Sequence, residues 1–161
     1  MAQLNVSSTT TRAIKAVTGY EFTNPANLSE ALDTTGLHRR ESNQRLALLG
    51  DAALKLALLD DWYPTGYTKG RRDFTEGEAG CGHNIVVDIG GNASLARVGH
   101  ECAISHYIVT HPGHFGRVSD KVVAATVEAI IGAIYVDSGK DIAVVKSAME
   151  ALGLITSSST Y

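Results

Sequence analysis

Two acids in this chain stand where acids are costly. Asp51 lies at the middle of the apolar run 43–62, NQRLALLGDAALKLALLDDW, and Glu128 lies inside a second run, KVVAATVEAIIGAIYVDSG, that follows Ser119-Asp120. A carboxylate inside a buried helix needs a hydrogen-bonding partner, a counter-charge or a water-filled site. Each acid therefore has a structural reading, a hydrogen bond to a neighbouring helix or to water, and a functional one. The functional reading is that both carboxylates face one place and a cation between them offsets both burials. Magnesium suits such a place, because it takes hard oxygen ligands and commonly uses one or two protein carboxylates, with water and substrate phosphate completing its shell. An ion held in this way activates water and stabilises the leaving oxygen in phosphodiester hydrolysis.

Other chemistry-bearing residues are less well arranged. Cys81 with His83 and His100 with Cys102 are zinc-type ligands without zinc-type spacing, and the second pair, at i and i+2 on a helix, faces two ways. His106, His111 and His114 cluster around Pro112 and read as surface residues with phosphate contact as the alternative. Two basic clusters, His38-Arg39-Arg40 and Lys69 to Arg72, flank the 43–62 run and read equally as solvated loop charge or as phosphate contacts.

The elements that must position these residues are helical. Leu46, Leu48, Leu49, Ala52, Leu54, Leu56, Leu58 and Leu59 cover every side of a 3.6-residue wheel, which predicts a helix buried all round. Shorter helical pieces are predicted over 11–17 and 26–33, the second with Thr23 or Asn24 as cap and Pro25 in its first turn. Residues 63–84 are rich in glycine and charge and read as a long loop. Helical pattern resumes over 85–108, broken at Gly90-Gly91 and restarting at Asn92, with Leu95, Val98, Gly99 and Cys102 on one face. After a loop over 110–118, Ser119-Asp120 starts the helix that holds Glu128, Gly139 closes it, and 141–152 forms a last amphipathic helix. Strand-like alternation is scarce. The expected fold class is all-α, with two buried central helices that each carry one acid.

Bulk properties bound the function. A length of 161 residues suits one domain, read as 13–155 between tails at 1–12 and 156–161, and no apolar run reaches eighteen residues, which excludes a membrane span. A net charge of −3 excludes a surface that is one phosphate-binding field, so nucleic-acid binding requires a local patch. Two cysteines suggest no disulfide framework and an intracellular setting, cytoplasmic or nuclear. The Ser/Thr-rich N-terminus has no secretory apolar core and reads as a frayed tail, with a mitochondrial presequence as the alternative.

These residues carry a resemblance. Asn43-Gln-Arg-Leu-Ala-Leu-Leu-Gly-Asp51 resembles the signature of the ribonuclease III family, usually NERLEFLGD, and the stretch from Asp120 to Tyr135 resembles its second motif, which usually contains DxxEAxIGA. Gly19-Tyr20-x-Phe22, running to Ala31-Leu32, and Asn92-Ala-Ser-Leu95-Ala96 agree as well, so that the likeness spans 14–154. It implies an endonuclease-domain-like helical bundle that forms a homodimer and cuts double-stranded RNA with magnesium or manganese. By that resemblance the metal ligands are four acids. Two fall on Asp51 and Glu128, while the other two fall on Ala47 and Ala125; a further family acid falls on Gln44. Leu48 falls where the family places a bulky apolar dimer contact, and Arg39, Arg40, Lys69, Arg71 and Arg72 are the candidate RNA contacts. The likeness leaves no room within these residues for a separate double-stranded-RNA-binding domain.

Positions 44, 47 and 51 share one helix face, and 125 and 128 share one on the partner helix. Halving the carboxylates halves the charge that offsets magnesium's dehydration, so any ion is expected to bind weakly. The leading expectation is an RNA-engaging domain with a degraded nuclease centre, acting as a pseudonuclease or within a larger ribonucleoprotein. One alternative is an active endoribonuclease in which Asp51 and Glu128 hold the ion and Gln44 orients water or substrate. Another is a dimeric scaffold without RNA contact.

Overall fold

The structure, a computed structural model, describes residues 6–37, 42–65 and 82–156. Seven α-helices carry these residues: α1 (Ser8–Thr18), α2 (Pro25–Leu32), α3 (Gln44–Trp62), α4 (Gly82–Gly90), α5 (Asn92–Glu101), α6 (Asp120–Asp137) and α7 (Ile142–Ala151). Short 3-10 turns follow α3 at Tyr63–Thr65 and α5 at Ile104–Tyr107. The fold is all-α. Among the described residues the β-pairing is limited to one isolated parallel bridge, between Asp33 and Val109.

Local chemistry sets the helix ends. Ser7 accepts from the Thr10 N–H, so α1 begins at Ser8, three residues before the expected start at Thr11. Asn24 caps α2 by accepting from the Ala26 N–H at 3.0 Å, with Pro25 as its first residue. Asp141 caps α7 through the Ala143 N–H at 2.8 Å. Ser119 precedes α6 in extended conformation without a side-chain cap bond, and Gly139 leaves it with φ +76°. The expected loop over 63–84 gives way to the 3-10 turn at its start and to α4 from Gly82, which takes in His83; the rest of it, 66–81, lies outside the described residues.

Helix α6 is the central rod. Val123, Val127, Ile130, Ile131 and Ile134 are fully buried, and α2, α3, α5 and α7 all pack on it. A helix apolar on most sides requires such a wrapping. Helix α3 departs from the expectation of all-round burial. Its inner face, Leu46, Ala47, Gly50, Ala53, Leu54, Ala57 and Leu58, is buried, whereas Leu48, Leu49, Leu56 and Leu59 face outward. The wheel showed leucine on both sides, but among the described residues α6 and its neighbours cover only one.

The two rods touch backbone to backbone. A Cβ built on Gly50 would lie 1.8 Å from the carbonyl oxygen of Glu128, and one on Gly132 would lie 2.2 Å from that of Leu46. Only glycine fits at either position. On α5, a Cβ at Gly99 would lie 2.4 Å from Val123 Cγ1, so that helix also sits tight against α6. The far end of α6 is clamped by Asp137, whose carboxylate accepts from the Tyr20 hydroxyl (2.9 Å), the Thr23 N–H (2.7 Å), the Asn24 N–H (2.9 Å) and the Asn27 amide (2.8 Å). Burial raises this carboxyl's pKa, but the bonds from Asn24, Thr23, Tyr20 and Asn27 outweigh it and hold the group below its ordinary value. Burial, and then the bond to Asp137, push the Tyr20 hydroxyl up to about 12. No helix among the described residues is long and apolar enough to cross a membrane.

Candidate nuclease centre

The glycine crossing brings the two acids together. Asp51 follows Gly50 directly, and Glu128 is the residue whose carbonyl lies against Gly50, so both carboxylates leave their helices at the point of closest approach. The Asp51 side chain is 29% exposed, and Lys55, one helical turn later, donates to its Oδ2 at 2.6 Å. Glu128 is half-buried, and its carboxyl makes no hydrogen bond among the described residues. Burial, and then the charge of Asp51, push its carboxyl up to about 7 against the opposing pull of Lys55. The three groups thus form one electrostatic unit: two acids and one ammonium.

The other expected site positions carry no charge. Ala47 is buried and Ala125 is partly buried against the core, so methyl groups stand at the two positions where the resemblance implies carboxylates. Gln44 is exposed in the first turn of α3. Seven residues separate it from Asp51, roughly 10 Å along the helix axis. Among the described residues no group of three or more His, Cys, Asp or Glu side chains is placed to hold a metal ion. A divalent ion would find two carboxylates, one of them already bound to an ammonium, and two methyl groups. With Asp51 already held by an ammonium, that donor set as it stands does not fit a resident magnesium or manganese ion.

Two contributors were missed by reading the motif for chemistry alone. Asn43, the first residue of the signature, is buried; its amide donates to the Ala31 carbonyl at 2.9 Å and to Thr126 Oγ1 at 3.3 Å, and its N–H donates to the Asp33 carbonyl at 2.9 Å. It ties the start of α3 to α2 and α6 and so fixes the register in which Asp51 meets Glu128. Lys55 is the second. Its i+4 spacing from Asp51 was the available signal.

The remaining candidates disperse. Arg39, Arg40, Lys69, Arg71, Arg72 and Cys81 lie outside the described residues. His100 pairs with Asp120 at 2.9 Å, while the Cys102 thiol points at the Leu152 carbonyl and has its pKa raised, chiefly by burial. His106 lines a shallow polar cavity of about 400 Å³ with His100, Ser105 and Arg117; His111 and His114 are exposed on the loop beside it. Leu48 is 75% exposed and continues into Leu56, Leu59 and Tyr63 along the uncovered side of α3.

Two apolar rods crossed at paired glycines, each presenting one acid at the crossing, define the class: an all-α domain with a two-carboxylate centre. Residues 34–152 match the sequence profile of the Ribonuclease-III-like family, and the chain belongs to the ribonuclease III family. It is 32% identical over 126 residues to Ribonuclease 3 of Photobacterium profundum, a match covering 74% of this chain and 51% of that protein. It is 36% identical over 129 residues to Ribonuclease 3 of Shewanella halifaxensis, again covering 74% of this chain and 51% of the relative. The chain thus spans about half the length of the curated relatives it matches. The nuclease domain of ribonuclease III from Campylobacter jejuni shares the fold with a TM-score of 0.70 at 22% identity, covering 88% of this chain and 92% of that one.

Proposed function

We propose that this ribonuclease III-like domain engages double-stranded or structured RNA as a homodimer, with a centre that cleaves weakly or not at all. The observation that carries the reading is the centre's composition: Asp51 bound to Lys55, Glu128 beside them, and methyl groups at Ala47 and Ala125. Phosphodiester hydrolysis at such a centre asks for concentrated anionic charge to hold a cation, and here one of the two carboxylates is already neutralised within the chain.

RNA engagement rests on a different part of the surface. A-form RNA is read through its backbone and 2′-hydroxyls, which needs placed cations rather than a basic protein, and a net charge of −3 is compatible with that. Arg39, Arg40, Lys69, Arg71 and Arg72 are the proposed contacts. Dimerisation is supported by the outward leucines of α3, and a second structure of the Campylobacter jejuni nuclease domain, at a TM-score of 0.70 and 20% identity, is described as having a region involved in dimer formation. Affinity from one such domain is expected to be low, which favours action inside a larger intracellular ribonucleoprotein.

The test is incubation of the purified protein with long double-stranded RNA and magnesium or manganese, beside Glu128→Gln. Little or no cutting by either is expected. Cleavage by the parent and its loss in the variant would establish an active nuclease and overturn the reading of the centre. In a parallel titration RNA binding should weaken as salt rises, because phosphate contacts release counterions. No binding at low salt would leave a dimeric scaffold.

A further inference from the structure

We infer that Lys55 is the resident cation of this centre: its ammonium occupies the charge-neutralising role of a divalent ion at Asp51 and thereby keeps such ions out. The inference deepens the proposed function, since it rests on Asp51 and Glu128 being the remnant of the family's centre. Three observations support it. Lys55 Nζ lies 2.6 Å from Asp51 Oδ2. Its charge reaches Glu128 as well, so one ammonium acts on both acids. The helix fixes this arrangement, because residues four apart on α3 stack on the same face and Gly50, next to Asp51 in the chain, packs against the backbone of Glu128. An incoming dication must displace the ammonium from Asp51 and then bind beside its positive charge, with only methyl groups at Ala47 and Ala125 in place of further ligands.

Lys55 therefore blocks the site in addition to the loss of the two acids, and removing it alone should admit an ion. The test is manganese binding, followed by the electron paramagnetic resonance of free Mn²⁺, with no RNA present. Lys55→Met should tighten binding by at least roughly tenfold over the parent, as expected when a unit charge a few ångströms from a dication is removed. Lys55→Arg, which keeps the charge, should bind no better than the parent, and Asp51→Asn added to Lys55→Met should abolish the gain. Equal affinity of the parent and Lys55→Met overturns the inference, as does a gain in Lys55→Met that survives Asp51→Asn. Lys55 is half-exposed on its helix, so the variants are expected to fold, and circular dichroism checks this. Failure here would leave RNA engagement untouched, because that is read by the salt titration.

Discussion

At the scale of single residues, the centre has a pH signature. Glu128 in the folded protein holds its proton up to about pH 7, against an ordinary value of 4.5, because burial and the charge of Asp51 outweigh the help of Lys55. Between those two values the folded state binds a proton that the unfolded state has released, so this group's contribution to stability falls as pH rises through the window. Asp137 acts in the opposite sense and elsewhere. Its lowered pKa contributes stability above the ordinary carboxyl value, and that contribution is lost only as pH falls through the depressed one. Urea unfolding should therefore find the parent less stable at pH 8 than at pH 5 by about 2 kcal/mol from Glu128, discounted for its partial exposure. Glu128→Gln should remove that slope and be the more stable of the two at pH 8. Parallel profiles for parent and variant would mean that Glu128 ionises freely in the fold. That the two acids meet was legible from their lone placement in apolar runs. Lys55 was passed over because a lysine on a helix is ordinarily a solvated charge, and only its turn-spacing from Asp51 marks it.

At the scale of elements, the crossing of α3 and α6 depends on two missing side chains. Gly50 and Gly132 each lie against the other helix's backbone, with no flexible side chain between them to give way. Gly50→Ala must push the rods apart along their length and is expected to cost at least about 3 kcal/mol, at the upper end of overpacking penalties. The thermal midpoint and near-ultraviolet circular dichroism should both show the loss. An alanine variant as stable as the parent would contradict the contact. The two glycines stood in the motifs, but a glycine's neighbours are set by the path of the whole chain. The same limit applied to Asp137, whose partners at Tyr20, Thr23, Asn24 and Asn27 lie more than 100 positions away. Helix identities, by contrast, were readable from local spacing and caps, as at Asn24-Pro25. Periodicity failed at α3, where leucine occurs on both faces and pattern alone does not say which face the chain covers with itself.

At the scale of the whole molecule, that face is an apolar surface that no described residue covers. Leu48 (75% exposed), Leu56 (51%), Leu59 (37%) and Tyr63 (80%) follow one another down the outside of α3 and its 3-10 extension. Large apolar side chains gathered on one side of a helix mark an interaction site more readily than the same residues scattered singly. A second copy is the partner proposed for it, because a two-fold axis beside α3 would set each stripe against its equivalent. Leu48→Glu with Leu56→Glu should convert the dimer to monomer in sedimentation velocity at micromolar concentration. The monomer should keep the parent's helical signal, since exposed positions contribute little to the fold on their own. Leu56 lies five residues from Asp51 and Leu48 three, so Leu56→Glu alone reads association away from Asp51, whereas Leu48→Glu also places a charge one turn from it. A parent that sediments as a monomer would assign the stripe to a different protein. A parent dimer that survives both substitutions would place the two-fold contact on another face.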